Sequence, residues 1–281
     1  LEISTDSSGV FSHDLVSGIY NIYFEKDGWK PLNLFNQHLT EDIDLGMIFM
    51  ETGYVQYISG NVSGDWTSIN DYYVMDDIIV PEGEILNIGP GVKVLFTGKY
   101  NLLVEGQIFA EGEQGSEILF TSNKPQPQPN DWGIIELHSA PNTFRHVIYS
   151  YASNGIGGHD GSGSVFENCI ITGLPVFPEE GEDHGRWHCH GFEFEACNDC
   201  IFDNNHIDTD IYHGIEIEGS AINVMITNNT INIYGKAIDL QYPQNSVITN
   251  NIITMYQDTW AIEVNECHNC TIGNNTINAF N

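Results

Sequence analysis

Positive charge is scarce in this 281-residue chain: eight Lys and Arg stand against 39 Asp and Glu, a formal net charge of −31. Such a balance repels phosphate backbones and anionic lipid surfaces, so no nucleic acid is expected as a partner, and the ligands it favours are cations or neutral, hydroxyl-rich molecules. Also lacking is any apolar run near the roughly 20 residues that cross a bilayer, so no membrane span is expected. The first residues do not carry the basic-then-apolar signature of a secretory leader. If the protein is exported, the sequence begins after that leader. Helical periodicity is nearly absent, because no sustained i, i+3, i+4, i+7 apolar spacing occurs. Neither CxxC is followed by His, so covalent haem attachment is not expected, and neither is a nucleotide cofactor.

What the chain does contain is short alternating segments, VKVLF, GIEIEG and AIEVN among them, separated by Gly, Asn and Asp. Period-2 alternation between turn residues is the signature of strands, and the expectation is an all-β protein. The acids run from Glu2 to Glu266, so they form no acidic tail, and 41% hydrophobic with 11% aromatic residues suits a folded chain.

A period emerges from about residue 60. Asparagine pairs begin at Asn204, Asn228, Asn250 and Asn274, with spacings of 24, 22 and 24, and each is followed by Ile207, Ile231, Ile253 or Ile277. A second set of segments keeps the same step: FEFEA at 192, IEIEG at 215, IDLQY at 238 and IEVNE at 262. Alternation sends Phe192, Phe194, Ile215, Ile217, Ile238, Leu240, Ile262 and Val264 to one side and the acids to the other. A unit of some two dozen residues cannot bury its own apolar face, so it must stack on its neighbours in register. The repeat resembles the right-handed parallel β-helix of pectate-lyase-like proteins, a solenoid of 22–24 residue rungs over residues 53–281, and the likeness covers roughly residues 60 to 281. The paired asparagines suit its bends, one amide bonding to the rungs above and below while its neighbour takes a left-handed turn.

Residues 5–50 are organised differently. TDSSGVF, LVSGIY and KDGW resemble the back half of carboxypeptidase regulatory-like domains, small transthyretin-like β-sandwiches, and residues 1–52 are expected to be part of one. The resemblance implies a spacer in a longer secreted or cell-surface chain.

Two CxxC motifs, Cys197/Cys200 and Cys267/Cys270, lie 70 residues apart, which is three rungs. Strands advance about 4.7–4.9 Å each, so the pairs stand about 14 Å apart and cannot share one tetrahedral ion. A local disulfide within each pair is the first expectation, with free thiols, redox chemistry and metal binding as alternatives.

Candidate chemistry sits on the outward positions of the second strand. Glu136, Gly157, Glu193, Glu216, Asp239 and Glu263 fall in one file, with His138, His159, Glu195, Glu218, Gln241 and Asn265 beside it. Stacked carboxylates attract calcium, protons or sugar hydroxyls unless they are simply a solvated face. Into this face the chain inserts about 14 extra residues, around 174–190, bringing Glu179, Glu180, Glu182, Asp183, His184, Arg186, Trp187, His188 and His190. Trp187 supplies a stacking surface, Arg186 a lyase-type base, and Glu195 with Glu218 an acid and base. Glu193, Glu216, Asp239, His138 and His159 are candidate ligand-binding groups, and Asp183, His184, His188 and His190 candidate metal ligands. The family resemblance implies calcium and uronate chemistry, yet only GGHDG at 157–161 grazes a hydrolase motif of this fold, and no full catalytic set transfers. Two functions follow: an extracellular or cell-surface protein binding carbohydrate or calcium, or a polysaccharide lyase or glycoside hydrolase. A solvated acidic face and an Ω-loop packed by its own Trp and prolines are the plain structural alternatives.

Overall fold

The computed structural model describes residues 3–6, 9–40, 45, 47–175, 189–209, 212–257 and 259–280. The chain divides into two compact units, Leu1–Tyr54 and Val55–Asn281. In the first, Gly18–Phe24 pairs antiparallel with Leu32–Leu39. This two-stranded sheet is the one sheet formed wholly within that unit's described residues.

The second unit is a right-handed parallel β-solenoid with three strand files per rung. One file is a nine-stranded sheet from Gly64–Trp66 to Thr271–Gly273. The other two share the long strand Asn70–Val80, whose residues Asp71–Val74 pair with Lys93–Phe96 and whose Ile78–Val80 pair with Leu102–Val104. One of these ascends through Ile118–Ser122, Val147–Ser150, Ile170–Thr172 and His206–Asp208 to Thr276–Ala279. The other ascends through Ile135–Leu137, Ile156–Asp160, His190–Ala196, His213–Ile217, Lys236–Gln241 and Ile262–Asn265. This last file carries the candidate chemistry.

The predicted rung register is present residue for residue: Ile156, Phe192, Ile215, Ile238 and Ile262 pair in turn. The first four are buried and Ile262 is partly so, as the inward set requires. In the nine-stranded sheet Phe144, Phe166 and Phe202 stack with ring centroids 5.5 and 5.0 Å apart, so identical side chains on successive rungs build a continuous core.

At one corner the second asparagine of each pair forms a ladder. The Asn205 amide donates to Asn229 at 3.0 Å, Asn229 to Asn251 at 3.0 Å and Asn251 to Asn275 at 2.9 Å. Each side-chain oxygen also accepts a backbone N–H from the preceding rung. The first asparagine of each pair takes the left-handed conformation, with φ of 52°, 58°, 60° and 56° at Asn204, Asn228, Asn250 and Asn274. Asparagine satisfies both demands, tolerating positive φ and bonding locally, where Gly would supply only the first. In the rung before the ladder Cys169 replaces the bonding Asn, and its backbone N–H caps the run on Asn205.

Candidate functional site

Three consecutive strands open with one pattern: His190-Gly191-Phe192-Glu193, His213-Gly214-Ile215-Glu216 and Lys236-Ala237-Ile238-Asp239. Their first, third and fourth residues pair in register. A Cβ on Gly191 would meet the Gly214 carbonyl at 2.5 Å, and one on Gly214 the Ala237 carbonyl at 2.5 Å, so glycine lets successive rungs close up there. Around that close approach the residue three before each carboxylate comes back to it.

In the two histidine rungs the groups converge on Glu216. His190 Nδ1 and His213 Nδ1 each lie 2.8 Å from Glu216 Oε2. His190 Nδ1 is 3.6 Å from Glu193, and His213 Nε2 is 3.6 Å from Asp239. Both imidazoles are 3% exposed and Glu216 is 9% exposed. Neither 2.8 Å approach has the alignment of a hydrogen bond. Burial pushes the Glu216 carboxyl up, but the two adjacent imidazoles outweigh that and hold it down at about 2. Its neighbour Glu218 moves the opposite way, raised by burial and then by the charges of Glu216 and Glu193. Carboxylate oxygens of Glu193, Glu216 and Glu218 lie within 4.8 Å of one another.

One rung further the carboxylates have a resident cation. Lys236 Nζ lies 2.9 Å from Asp239 Oδ2 and also contacts Glu263. Burial alone would lower the ammonium's pKa; hydrogen bonds to Glu263 and Asp239 raise it above its ordinary value. Glu263 is shifted up by burial and further down by Lys236, ending below its ordinary range.

On the other side of the histidine rungs the file breaks. Gly157 stands between Glu136 and Glu193 in register, and a Cβ there would meet the Glu193 carbonyl at 2.2 Å. Beside it opens a hollow of 160 Å³ lined by Glu136, Asn154, Gly157, His190 and Glu193. Asn154 anchors its edge, accepting the His190 backbone N–H at 2.6 Å. Beside the hollow a more exposed cluster forms: His138 is 2.7 Å from Glu136, and His159 is 2.9 Å from Glu195. The bond to Glu195, with its charge, raises the His159 pKa.

Thus Glu193, Glu216, Asp239, Glu195, Glu218, His138, His159 and His190 share one face. Asp183, His184, Arg186, Trp187 and His188, with Glu179, Glu180 and Glu182, lie outside the described residues. The two CxxC bends differ. Cys197 and Cys200 are disulfide-bonded and buried, with Cα atoms 5.8 Å apart. Cys267 and Cys270 are free thiols, contrary to the expectation of a bond in each pair. The second pair sits in the last rung described, where Cys267 is exposed and the Cys270 thiol contacts the Pro243 carbonyl at 3.4 Å. His213 and Lys236 lie outside the residues that composition and period single out. The signal for both was the repeated tetrad that begins each rung.

No family model, curated protein or solved structure matches the chain.

Proposed function

We propose that the solenoid is a glycan-binding protein of the cell surface or extracellular space, holding a neutral, hydroxyl-rich polysaccharide along the carboxylate file. The observation that carries this is the hollow beside Gly157, walled by Glu136, Asn154, His190 and Glu193. Glu136 and Glu193, both partly exposed and two rungs apart across Gly157, present acceptors about 9.6 Å apart at which two hydroxyl-bearing units of a linear polymer can bond. The net charge of −31 disfavours uronate polymers unless a cation intervenes. Calcium, with its all-oxygen preference, would suit the more exposed carboxylates Glu193 and Glu218. The Cys197–Cys200 bond agrees with an oxidising compartment. Residues 1–52, as part of a transthyretin-like module, would serve as a spacer.

Affinity electrophoresis across neutral, amino and uronate glycans tests the proposal. At least one neutral glycan should retard the protein, and Glu136→Gln with Glu193→Gln should weaken retention by about tenfold, the size of one lost charged hydrogen bond. Absence of retention across the panel, or retention indifferent to both changes, would overturn it.

A second function, glycoside hydrolysis, is favoured by the carboxylate geometry. Oxygens of Glu193, Glu216 and Glu218 lie within 4.8 Å of one another, so two carboxyls can reach the same glycosidic bond. Reducing-end release that vanishes in Glu218→Gln or Glu195→Gln would establish it. Unsaturated-product absorbance lost in Arg186→Ala would instead indicate a lyase.

A further inference from the structure

We propose that His190, His213 and Glu216 form a binding site for a first-row transition-metal dication of the zinc class. Two imidazole nitrogens and one carboxylate oxygen, all within 4.8 Å of one another, are contributed by adjacent rungs of a rigid sheet. Both nitrogens of His213, a side chain 3% exposed, lack a hydrogen-bond partner among the described residues, and so does Glu216 Oε2. A buried imidazole ordinarily satisfies its nitrogens, because a buried polar group left without a partner loses its hydration with nothing in return. Here His213 Nδ1 and the carboxylate oxygen are instead packed 2.8 Å apart without hydrogen-bond alignment. Donor atoms crowded together without bonding one another are what a shared cation would hold.

The neighbouring rung supports the same conclusion by contrast. At the register position of His213 it has Lys236, which brings its own positive charge to Asp239 and Glu263. The histidine rungs place another buried carboxylate, Glu216, in the same file without an ammonium, so the cation must come from outside or from protonated imidazole. A nitrogen-rich donor set selects zinc-class ions over calcium and magnesium, which prefer oxygen. Zinc–nitrogen distances of about 2.0–2.1 Å put tetrahedral ligand atoms roughly 3.3 Å apart, so a small opening of the 2.8 Å contacts admits the ion. Three protein donors leave a fourth position for water.

Protein stripped with EDTA and dialysed into metal-free buffer is titrated with Co²⁺, then with Zn²⁺ and Ca²⁺ as competitors. The expected result is one Co²⁺ per chain with visible ligand-field bands, displaced by Zn²⁺ and untouched by Ca²⁺. His213→Ala and Glu216→Gln should each weaken uptake by more than about 100-fold, beyond the 10–100-fold that loss of a merely orienting partner costs. His159→Ala, which dismantles the exposed histidine cluster, should leave uptake unchanged. No uptake by the wild-type protein, equal competition by Ca²⁺, or full uptake by His213→Ala would each overturn the proposal. Absent uptake by the wild-type protein refutes the site without any variant having to fold, and retained uptake in His159→Ala shows that the ion is not held by the exposed cluster. His213→Gln, with circular dichroism of the sheet, separates ligand loss from unfolding. Glycan retention is measured on the EDTA-treated protein, so failure of the metal site and failure of glycan binding are separately visible.

Discussion

The histidine rungs and the lysine rung are the same backbone with different solutions to one electrostatic problem. Glu193, Glu216, Asp239 and Glu263 stack at strand spacing, where like charges repel. In the later rungs a covalently tethered ammonium, Lys236, neutralises the pair Asp239 and Glu263. In the earlier rungs imidazoles flank Glu216, and their charge is conditional on a proton or an ion. A repeat scaffold therefore separates folding from chemistry. The inward residues keep the coil, and one outward position per rung decides whether the file is closed by the chain itself or open to a ligand.

The largest effect expected comes from removing the tethered cation. Lys236→Met leaves Asp239, which is 3% exposed, beside Glu263 with no counter-charge, and should lower stability by about 3 kcal/mol, read as a fall in the urea midpoint. Adding Asp239→Asn should restore part of that loss. An unchanged midpoint in Lys236→Met would mean that the two rungs do not differ in how they hold their carboxylates.

Next in size is a change that should treat both rungs alike. Asn205 belongs to a histidine rung and Asn251 to the lysine side, yet each sits in the same buried ladder. Truncation of either to Ala removes its amide bonds and strands its neighbours, at a cost of about 2 kcal/mol each. Neither change should alter Co²⁺ uptake. Unequal losses, or a loss of uptake, would show that scaffold and site are coupled.

Moving the tethered cation is a gentler test. His213→Lys places an ammonium at the register position of Lys236 one rung earlier, beside Glu216. The metal-free protein should keep its stability to within about 1 kcal/mol, since an ammonium then faces the buried Glu216 carboxylate as Lys236 faces Asp239, while Co²⁺ uptake disappears. Retained uptake would show that Glu216 and His190 do not need His213.

Much of this was legible beforehand because repetition turns weak signals into strong ones. A single Asn-Asn-x-Ile is uninformative; four copies at steps of 24, 22 and 24 define rungs, and alternation then places Glu193, Glu216, Asp239 and Glu263 in one file. His213 was harder to see because it precedes the alternating IEIEG segment. It meets Glu216 three residues on along the same strand, and period-2 alternation says nothing of an i, i+3 meeting. Lys236 was hidden in the same way. The insertion drew notice for its Trp and His content, but of its candidate metal ligands only His190 lies among the described residues. The buried pair His213 and Glu216 owes its position to the regular rungs, not to the insertion.

The smallest effect concerns the two CxxC bends, which sequence spacing alone could not tell apart. Cys197 and Cys200 are buried beneath later rungs, the Cys197 N–H bonded to the Ser220 carbonyl, whereas Cys267 is exposed in the last rung described. Burial pushes the thiols of Cys169 and Cys189 up to about 12, so they stay protonated and unreactive at ordinary pH. Cys270 is also raised, by partial burial and then by its neighbour Cys267. Iodoacetamide at pH 8 should therefore label Cys267 first, Cys270 more slowly, and Cys169 and Cys189 only after unfolding, as followed by peptide mass spectrometry. Because the labelled bend supports no further described rung, the urea midpoint should move by less than about 0.5 kcal/mol, the ordinary range for surface changes. Label at Cys169 or Cys189 in the native protein would mean that the core beneath the histidine rungs opens more readily than the continuous stack of buried side chains implies.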